Sequence, residues 1–390
     1  MITLEKVNTL PVATWHRFGL NSSSLELPLQ KVPAYRNASA QKANVQILDY
    51  TDACRQEIPG SYTSILNNLS TGMGEETADF AEHKANAGFS IRLLQGTKIV
   101  QPIVFNYTLN SAYPVLAERN ILIAEEGSSV TLVQIYRSAA SHDTTGRFHD
   151  QYPDPAAIHT HGGVTKIIAE KNARVTLIQI QLLDREAVTF DDVGILARED
   201  ANVSVIQAEL GGGRTYAGVR ASLEGKRATT HMHTLYLGDH EQYIDLNYIA
   251  EHIGQSSCSE ITAYGALRNS AVKLMRSTID FKTGAGDSTG AEKEHTILFN
   301  AGVQNRSAPL ILCGEENVEG SHAASAGRID EGQLFYLMSR GFSEAEARRL
   351  IVEASFEPVL ALMPNTLRGM VREQIKRKLN TASVGEAIRT

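Results

Sequence analysis

Three stretches of alternating apolar and polar residues decide the fold: Val130-Thr-Leu-Val-Gln-Ile-Tyr136, Val175-Thr-Leu-Ile-Gln-Ile-Gln181 and Val203-Ser-Val-Ile-Gln-Ala-Glu209. Alternation with period two is typical of β-strands whose two faces lie in different environments. Each stretch follows a similar turn sequence, namely Ala124-Glu-Glu-Gly, Ala169-Glu-Lys-Asn and Ala197-Arg-Glu-Asp. The first valines lie 45 and then 28 residues apart. Strand-and-turn units that recur at irregular intervals predict a stacked β-solenoid.

The pattern continues on the C-terminal side of these stretches. Further alternating runs occupy residues 229–237, 260–264, 272–281 and 310–313. No amphipathic helix of ten to fifteen residues separates them, which disfavours a βαβ sheet. The sequence therefore predicts a mainly β protein. We expect an N-terminal mixed or helical region at 1–95, a solenoid core at 96–325 and a C-terminal helical domain at 326–390.

The two flanking regions carry helix signals. A short helix is expected between Thr71 and Gly88, and Trp15, the only tryptophan, is interpreted as a packing anchor rather than a ligand contact. Asp330 with Gln333 and Ser343 with Glu346 have the spacing of helix N-caps. A third C-terminal helix is expected from about Asn365 to Leu379. The tail after residue 380 is expected to be loose.

Composition and charge exclude several functions. The 390 residues contain 37 Lys and Arg and 44 Asp and Glu, so the net charge of −7 disfavours nucleic-acid binding. Three scattered cysteines, Cys54, Cys258 and Cys313, cannot form a disulfide framework and favour a reducing, cytoplasmic location. Apolar runs are too short to span a bilayer. No phosphate-binding P-loop motif occurs, so the chain is not itself a P-loop ATPase.

Two His-x-His pairs suggest one possible chemistry. Residues i and i+2 of a strand point to the same side, so each pair could offer two imidazoles to a metal. The candidate ligands are His159, His161, His231 and His233, with Glu241 or Asp245 as a completing carboxylate. This pattern favours, as an alternative function, a metal-dependent β-barrel or β-helix enzyme. The simpler interpretation is solvent-facing histidines on the solenoid. A carbohydrate lyase or lectin is disfavoured by the single tryptophan and the lack of a clear acidic pair.

A second candidate site lies where the last strand meets the C-terminal helices. His322 is near Cys313, Glu315 and Glu316, and thiolate, imidazole and carboxylate can all bind iron or zinc. Considered alone, His322 is more typical of a structural hydrogen-bonding residue.

The residues around this junction resemble a known family. The run Val318-Glu-Gly-Ser-His322-Ala-Ala-Ser-Ala-Gly327-Arg-Ile-Asp-Glu-Gly-Gln-Leu-Phe-Tyr-Leu-Met-Ser-Arg-Gly341, which follows the strand Pro309-Leu-Ile-Leu, is similar to the C-terminal signature of the SufB/SufD family. These proteins are subunits of the SUF iron–sulfur cluster assembly machinery. The N-terminal Leu10-Pro11-Val-Ala-Thr14-Trp15 and Asn21 also resemble family members. The specific part of the resemblance is residues 309–341.

The resemblance implies a right-handed parallel β-helix with helical flanks. It also implies a dimer through the end of the β-helix, either with a SufB-type subunit or with itself. The C-terminal helices would dock SufC, an ABC-type ATPase, so that ATPase activity is expected on the partner and this chain is expected to be a non-catalytic scaffold. Iron or an iron–sulfur cluster would be held transiently at a subunit interface, and no tightly bound cofactor is expected.

Single positions refine what the resemblance implies. His322 matches the histidine that SufD contributes near the cluster-assembly interface. Residues matching the segment associated with SufC docking are Leu334, Phe335, Tyr336, Arg340 and Gly341. The strand cysteine of SufB would fall near Glu294 or His295 and is missing, and Ala323 replaces the glutamate that follows its histidine. The chain is thus similar to SufD rather than SufB. No family role transfers to Cys313, which is interpreted as a buried structural thiol.

Overall fold

The computed structural model describes residues 1–13, 18–29, 32, 35, 38–41, 58–139, 141–142, 148–149 and 158–380. The N-terminal elements are β1 (Ile2–Val7), β2 (Ser23–Leu27), β3 (Ala38–Gln41), α1 (Gly60–Asn68) and α2 (Glu75–Lys84). The helix expected between Thr71 and Gly88 is therefore confirmed as α2. Trp15, Cys54 and the tail after residue 380 lie outside the described residues.

A long series of strands follows. The first of these are β4 (Ser90–Leu93), β5 (Ile103–Leu109), β6 (Val115–Ala124), β7 (Ser129–Ser138), β8 (Ser141–His142), β9 (Phe148–His149), β10 (Thr160–Ala169), β11 (Arg174–Leu182) and β12 (Val188–Ala197). The remainder are β13 (Asn202–Glu209), β14 (Arg214–Leu223), β15 (Thr229–Gly238), β16 (Tyr243–His252), β17 (Cys258–Leu267), β18 (Val272–Phe281), β19 (Ser288–Leu298), β20 (Gln304–Cys313) and β21 (Val318–Arg328). The C-terminal helices are α3 (Glu331–Ser339), α4 (Glu344–Ser355), α5 (Glu357–Leu360) and α6 (Asn365–Asn380).

These strands stack into two sheets that form a β-solenoid, as predicted. The first sheet has the order β20-β18-β16-β14-β12-β10-β6-β4, and the second has the order β21-β19-β17-β15-β13-β11-β7-β5-β3. From β4 to β21 the chain alternates between them, apart from the short β8–β9 hairpin. Pairing within both sheets is parallel except between β3 and β5. Alternation places one face of each strand in a continuous apolar interior.

The predicted repeats occupy equivalent positions on successive turns of the solenoid. Val175 pairs with Val130 on one side and with Val203 on the other. In the turns before these strands, Asn172 and Asp200 have φ values of 58° and 56°. This left-handed conformation is one that Asn and Asp tolerate better than most residues, so the turn sequences are suited to the bend that they make.

The first sheet was largely missed by the alternation pattern, and burial gives the reason. All ten residues of β12 are buried, because α1, α2 and the β1–β2 hairpin cover the outer face of this sheet. Phe80 of α2, for example, packs edge-to-face on Phe190 with ring centroids 5.7 Å apart. Strands that are buried on both faces have no polar side and therefore no period-two signal.

The C-terminal helices begin at the predicted caps. The carboxylate of Asp330 accepts a hydrogen bond of 2.7 Å from the backbone N–H of Gln333, and Ser343 forms a capping box with Glu346. In α4, Ala347 and Val352 are buried, whereas Ala354 is exposed.

Helices α4, α5 and α6 cover the outer face of the second sheet. Phe356 and Val359 pack there in one cluster with Ile206 and Leu235. Lys378 of α6 adds a polar anchor, since its Nζ donates to the Leu210 carbonyl at 2.9 Å. Among the described residues, no helix combines the length and the apolar character that crossing a membrane requires. The division into three domains at residues 95 and 325 stays a prediction.

Candidate functional site

The solenoid ends on two strands with a free edge. Within the described part of the chain, β20 pairs only with β18, and β21 pairs only with β19. Every residue of β21 after Val318 is exposed, whereas β19 alternates between buried and exposed residues. We call β20 and β21 the open end. A row of unpaired N–H and C=O groups makes such an edge competent to bind another chain.

His322 lies on β21 at the open end, opposite Glu292 of β19. Because directly paired residues of neighbouring strands project to the same face, His322 shares the interior-facing side with Glu292. Glu292 is only 5% exposed and its Oε2 has no hydrogen-bond partner. Burial, reinforced by the nearby Glu294 carboxylate, raises the pKa of Glu292 to about 7. The histidine is thus presented to solvent above a buried carboxyl group that is poised to exchange a proton.

A buried ion pair adjoins Glu292. Lys273 and Glu294 form a salt bridge and are almost completely buried. The Lys273 Nζ also donates to the Ser307 hydroxyl at 3.0 Å, and desolvation lowers the pKa of this lysine. Sequence reasoning missed these groups. The sequence does contain a signal for them: Glu292 and Glu294 lie two positions apart in β19, on the side of the strand that faces the core.

The other predicted residues of this junction have separate surroundings. Cys313, at the end of β20, is a free and exposed thiol, so the prediction of a buried structural cysteine is wrong. The Glu315 carboxylate accepts hydrogen bonds from the backbone N–H groups of Gly284 at 2.9 Å and Glu316 at 3.0 Å, and these bonds lower its pKa. Glu315 therefore closes a turn. Glu316 is exposed in the same turn.

The residues predicted to dock an ATPase lie on or directly after α3. No residue of α3 is buried. Phe335 is 73% and Tyr336 57% exposed, and the Arg340 guanidinium lies over the Tyr336 ring at 5.1 Å. Leu334 is half-buried, and Gly341, just after the end of the helix, has a φ of 100°. A groove of about 460 Å³ runs beside α3, with apolar lining from Phe299, Ile329, Leu334, Phe335 and Met338.

The two His-x-His pairs are not brought together. His159 and His161 are buried near the start of β10, in the first sheet. His159 contacts Asp184, and His161 is hydrogen-bonded to Thr189 at 2.9 Å and Glu118 at 3.1 Å. His231 and His233 lie instead on the outer face of the second sheet.

The proposed completing carboxylates also lie apart from these histidines. Glu241 is exposed in a turn. Asp245 is completely buried and pairs with the buried Arg276. In the described residues, one group of histidine, cysteine and acidic residues has its ligand atoms within 4.8 Å of one another, and it consists of His231, His233 and Glu260.

The chain is thus a parallel β-solenoid with an open, histidine-bearing end and flanking helices. Residues 107–355 match a family model described as "SUF system FeS cluster assembly, SufBD core domain". This chain belongs to that family, since the match covers well over half of it.

Curated relatives agree with the family assignment. The chain is 25% identical over 280 residues to the iron–sulfur cluster assembly protein SufD of Bacillus subtilis, a match that covers 72% of this chain and 61% of the relative. It is also 25% identical to a SufBD family protein of Staphylococcus epidermidis, over 72% of this chain and 57% of the relative. A Mycobacterium leprae protein of the family matches 69% of this chain at 23% identity, over 29% of its own length. The chain thus spans about three fifths or less of these relatives.

Proposed function

We propose that this chain is a non-catalytic, SufD-like scaffold subunit of iron–sulfur cluster assembly in the cytoplasm. It would work with a second subunit at the open end and with an ABC-type ATPase of the SufC kind on α3. The observation that carries the proposal is the exposed His322 on the last strand, which pairs with β19 on one side and has a free edge on the other. Membership of the SufBD family supports the same role.

The chemistry of the open end suits transient binding of iron or a cluster as cargo. His322 offers one imidazole, Glu292 lies beneath it, and Cys313 is exposed at the end of β20 in the other sheet. A stable cluster site uses four ligands, most often cysteine thiolates. One chain of this kind supplies too few ligands in one place. A partner subunit, either a SufB-type chain or a second copy, would supply the others, and its motion could expose or withdraw the cargo.

The exposed surface of α3 is suited to a protein partner. Aromatic residues, Met and Arg are enriched where proteins bind one another, and Phe335, Tyr336, Met338 and Arg340 provide all three kinds of contact. Such an exposed apolar patch is unfavourable in water and becomes favourable when covered. ATP hydrolysis would reside on the partner that covers it.

Capture of the ATPase tests the α3 proposal. The SufC-type ATPase of the same organism is passed over the immobilised full chain, with wild type compared with Phe335→Asp. We expect capture by wild type and loss by the variant, because a carboxylate would be buried against the partner. Leu362→Asp is the matched control, since Leu362 is 48% exposed and outside α3. Equal capture by Phe335→Asp, or none by wild type, would contradict the docking proposal.

Complementation in cells tests the site at the open end. In a strain whose only copy of this gene carries His322→Ala, we expect iron–sulfur enzymes to lose activity while the level of this chain is unchanged. His83→Ala removes an exposed histidine of α2 and serves as the control. Normal enzyme activities in the His322→Ala strain would remove this residue from the site.

The native mass of the purified chain tests the partner. It is measured alone and after mixing with a SufB-type subunit, and we expect either a homodimer or a one-to-one heterodimer. A monomer under both conditions would contradict pairing at the open end.

A further inference from the structure

Three side chains with metal-binding groups meet on the outer face of the second sheet, away from the open end. His231 and His233 alternate with the buried Met232 on β15, so both imidazoles project outward. The register places Glu260 of β17 directly opposite His231. One ligand atom from each of the three residues lies within 4.8 Å of the other two.

The distances agree with coordination of one ion. The Nδ1 atom of His231 and the Oε2 atom of Glu260 are 3.4 Å apart. Two ligand atoms bound to one tetrahedral metal at about 2.0–2.1 Å lie about 3.3 Å from each other. The His231 and His233 rings are nearly parallel, with an interplanar angle of 7° and centroids 5.9 Å apart. Small side-chain rotations would bring the second imidazole to the same ion.

A hydrogen bond orients the second imidazole. Nδ1 of His233 lies 2.7 Å from the hydroxyl of Thr262, the residue directly opposite it on β17. When Nδ1 donates to this hydroxyl, Nε2 keeps its lone pair for a metal. Metal-binding histidines characteristically donate their other ring nitrogen in this way, which fixes both tautomer and orientation.

The surroundings hold the three residues in place and leave access to solvent. Leu235, two residues after His233, is fully buried in the cluster that α4, α5 and α6 form with the sheet. The side chains of His231 and Glu260 are 30% and 47% exposed. Lys293 of β19 lies opposite Thr262, which in turn lies opposite His233. The charged Nζ of Lys293 is over the Tyr264 ring, 6.0 Å from its centre. Ligands on paired strands are positioned more rigidly than ligands on loops.

We propose that His231, His233 and Glu260 form a binding site for a divalent first-row transition metal ion. Two imidazoles and one carboxylate suit Zn²⁺ and Fe²⁺ rather than Mg²⁺ or Ca²⁺. Three protein ligands leave at least one coordination position for an exchangeable water molecule. The site is independent of the proposed scaffold function, since none of its residues lies at the open end or on α3.

Calorimetric titration with Zn²⁺ tests the site. The full chain is treated with a chelator, the chelator is removed, and ZnCl₂ is added in a non-coordinating buffer. We expect one strong site per wild-type chain and an affinity lower by at least about 100-fold in His231→Ala and Glu260→Gln. Thr262→Val should weaken binding by roughly 10-fold or more, and Thr262→Ser should restore it. Co²⁺ absorption in the visible range then reports the coordination geometry.

Matched controls separate this site from others. His295→Ala removes a histidine from the same outer face, and His322→Ala with Cys313→Ser removes the candidate ligands of the open end. All three substitutions should leave the strong Zn²⁺ site unchanged. The proposal is overturned if His231→Ala and Glu260→Gln bind Zn²⁺ like wild type, or if binding is lost in the open-end variant instead.

Discussion

A buried ion pair fastens the N-terminal hairpin to the solenoid, and its removal gives a quantitative prediction. Arg276 of β18 and Asp245 of β16 are both 0% exposed and form a salt bridge. The Arg276 Nε donates to the Leu20 carbonyl at 2.6 Å, and Asn8 Nδ2 donates to Asp245 at 2.9 Å. Both ends of the pair thus hold the segment that contains β1 and β2. We expect this segment to detach first when Asp245→Asn removes the negative charge.

The size of the effect follows from burial. Removing one partner of a buried ion pair costs about 3–5 kcal/mol, because the other charge stays desolvated without compensation. Arg276 would keep only neutral partners, the Leu20 carbonyl and the Ser23 hydroxyl. Since each 1.4 kcal/mol is a factor of ten in an equilibrium, amides of the hairpin should exchange roughly 10²–10³ times faster. The double variant Asp245→Asn/Arg276→Met should cost less than the sum of the two single changes.

Hydrogen exchange followed by mass spectrometry measures the opening of residues 2–7 and 23–27. Asp200→Asn is the control, because Asp200 belongs to an ion pair with Arg227 that is largely exposed to solvent, and such pairs contribute little. The reasoning is refuted if Asp245→Asn changes exchange of the hairpin by less than about twofold. It is also refuted if the two single substitutions are additive.

Three further predictions test the packing of the solenoid and its flanks. Burial raises the pKa of Asp192 from 3.8 to about 6, so the folded state binds the proton more tightly, and stability should fall by about 2.4 kcal/mol as the pH rises from 4 to 7. Asp192→Asn should remove this part of the pH dependence, as urea unfolding at the two pH values would measure; an unchanged pH dependence would contradict it. A Cβ on Gly225 would lie 1.9 Å from a backbone nitrogen, whereas one on Gly286 would meet nothing within 4 Å. Gly225→Ala should therefore lower the melting temperature of the protein, and Gly286→Ala should not. Equal melting temperatures of the two variants would contradict the close packing of the turn at Gly225. Phe356→Ala should loosen α4–α6 at a cost of about 3–5 kcal/mol, seen as faster exchange in these helices; unchanged exchange would show that the cluster does not hold them.

The alternating runs predicted the strands of the second sheet from β7 to β17, but in the first sheet they predicted only β18 and part of β20. Val130, Val175 and Val203 align in the structure as they align in the sequence, because one face of their strands lies in the core and the other does not. The first sheet lacks this contrast, since the N-terminal elements cover it. Helix starts at Asp330 and Ser343 were predictable because a cap depends on residues only three positions apart.

Sites that depend on register were beyond sequence reasoning. His322 could be found from the run around it, but Glu292 beneath it could not, because their pairing joins residues thirty positions apart. The same holds for His231 and Glu260, which become neighbours only when β15 and β17 are aligned. The His-x-His pattern led to His231 and His233 of the proposed metal site, but joining all four histidines in one site was wrong, because the two pairs belong to different sheets.

The two ends of the solenoid are unequal, and this limits how the molecule can associate. The N-terminal end finishes on the four-residue strands β3 and β4, with β3 antiparallel to its neighbour. The open end offers strands of ten and eleven residues. A molecule with a single long binding edge can pair through such an edge only once. If two chains join at that edge, the described residues leave only the four-residue strands β3 and β4 as outer edges of the pair, which gives fibre formation, the ordinary hazard of an exposed β-edge, little to continue from.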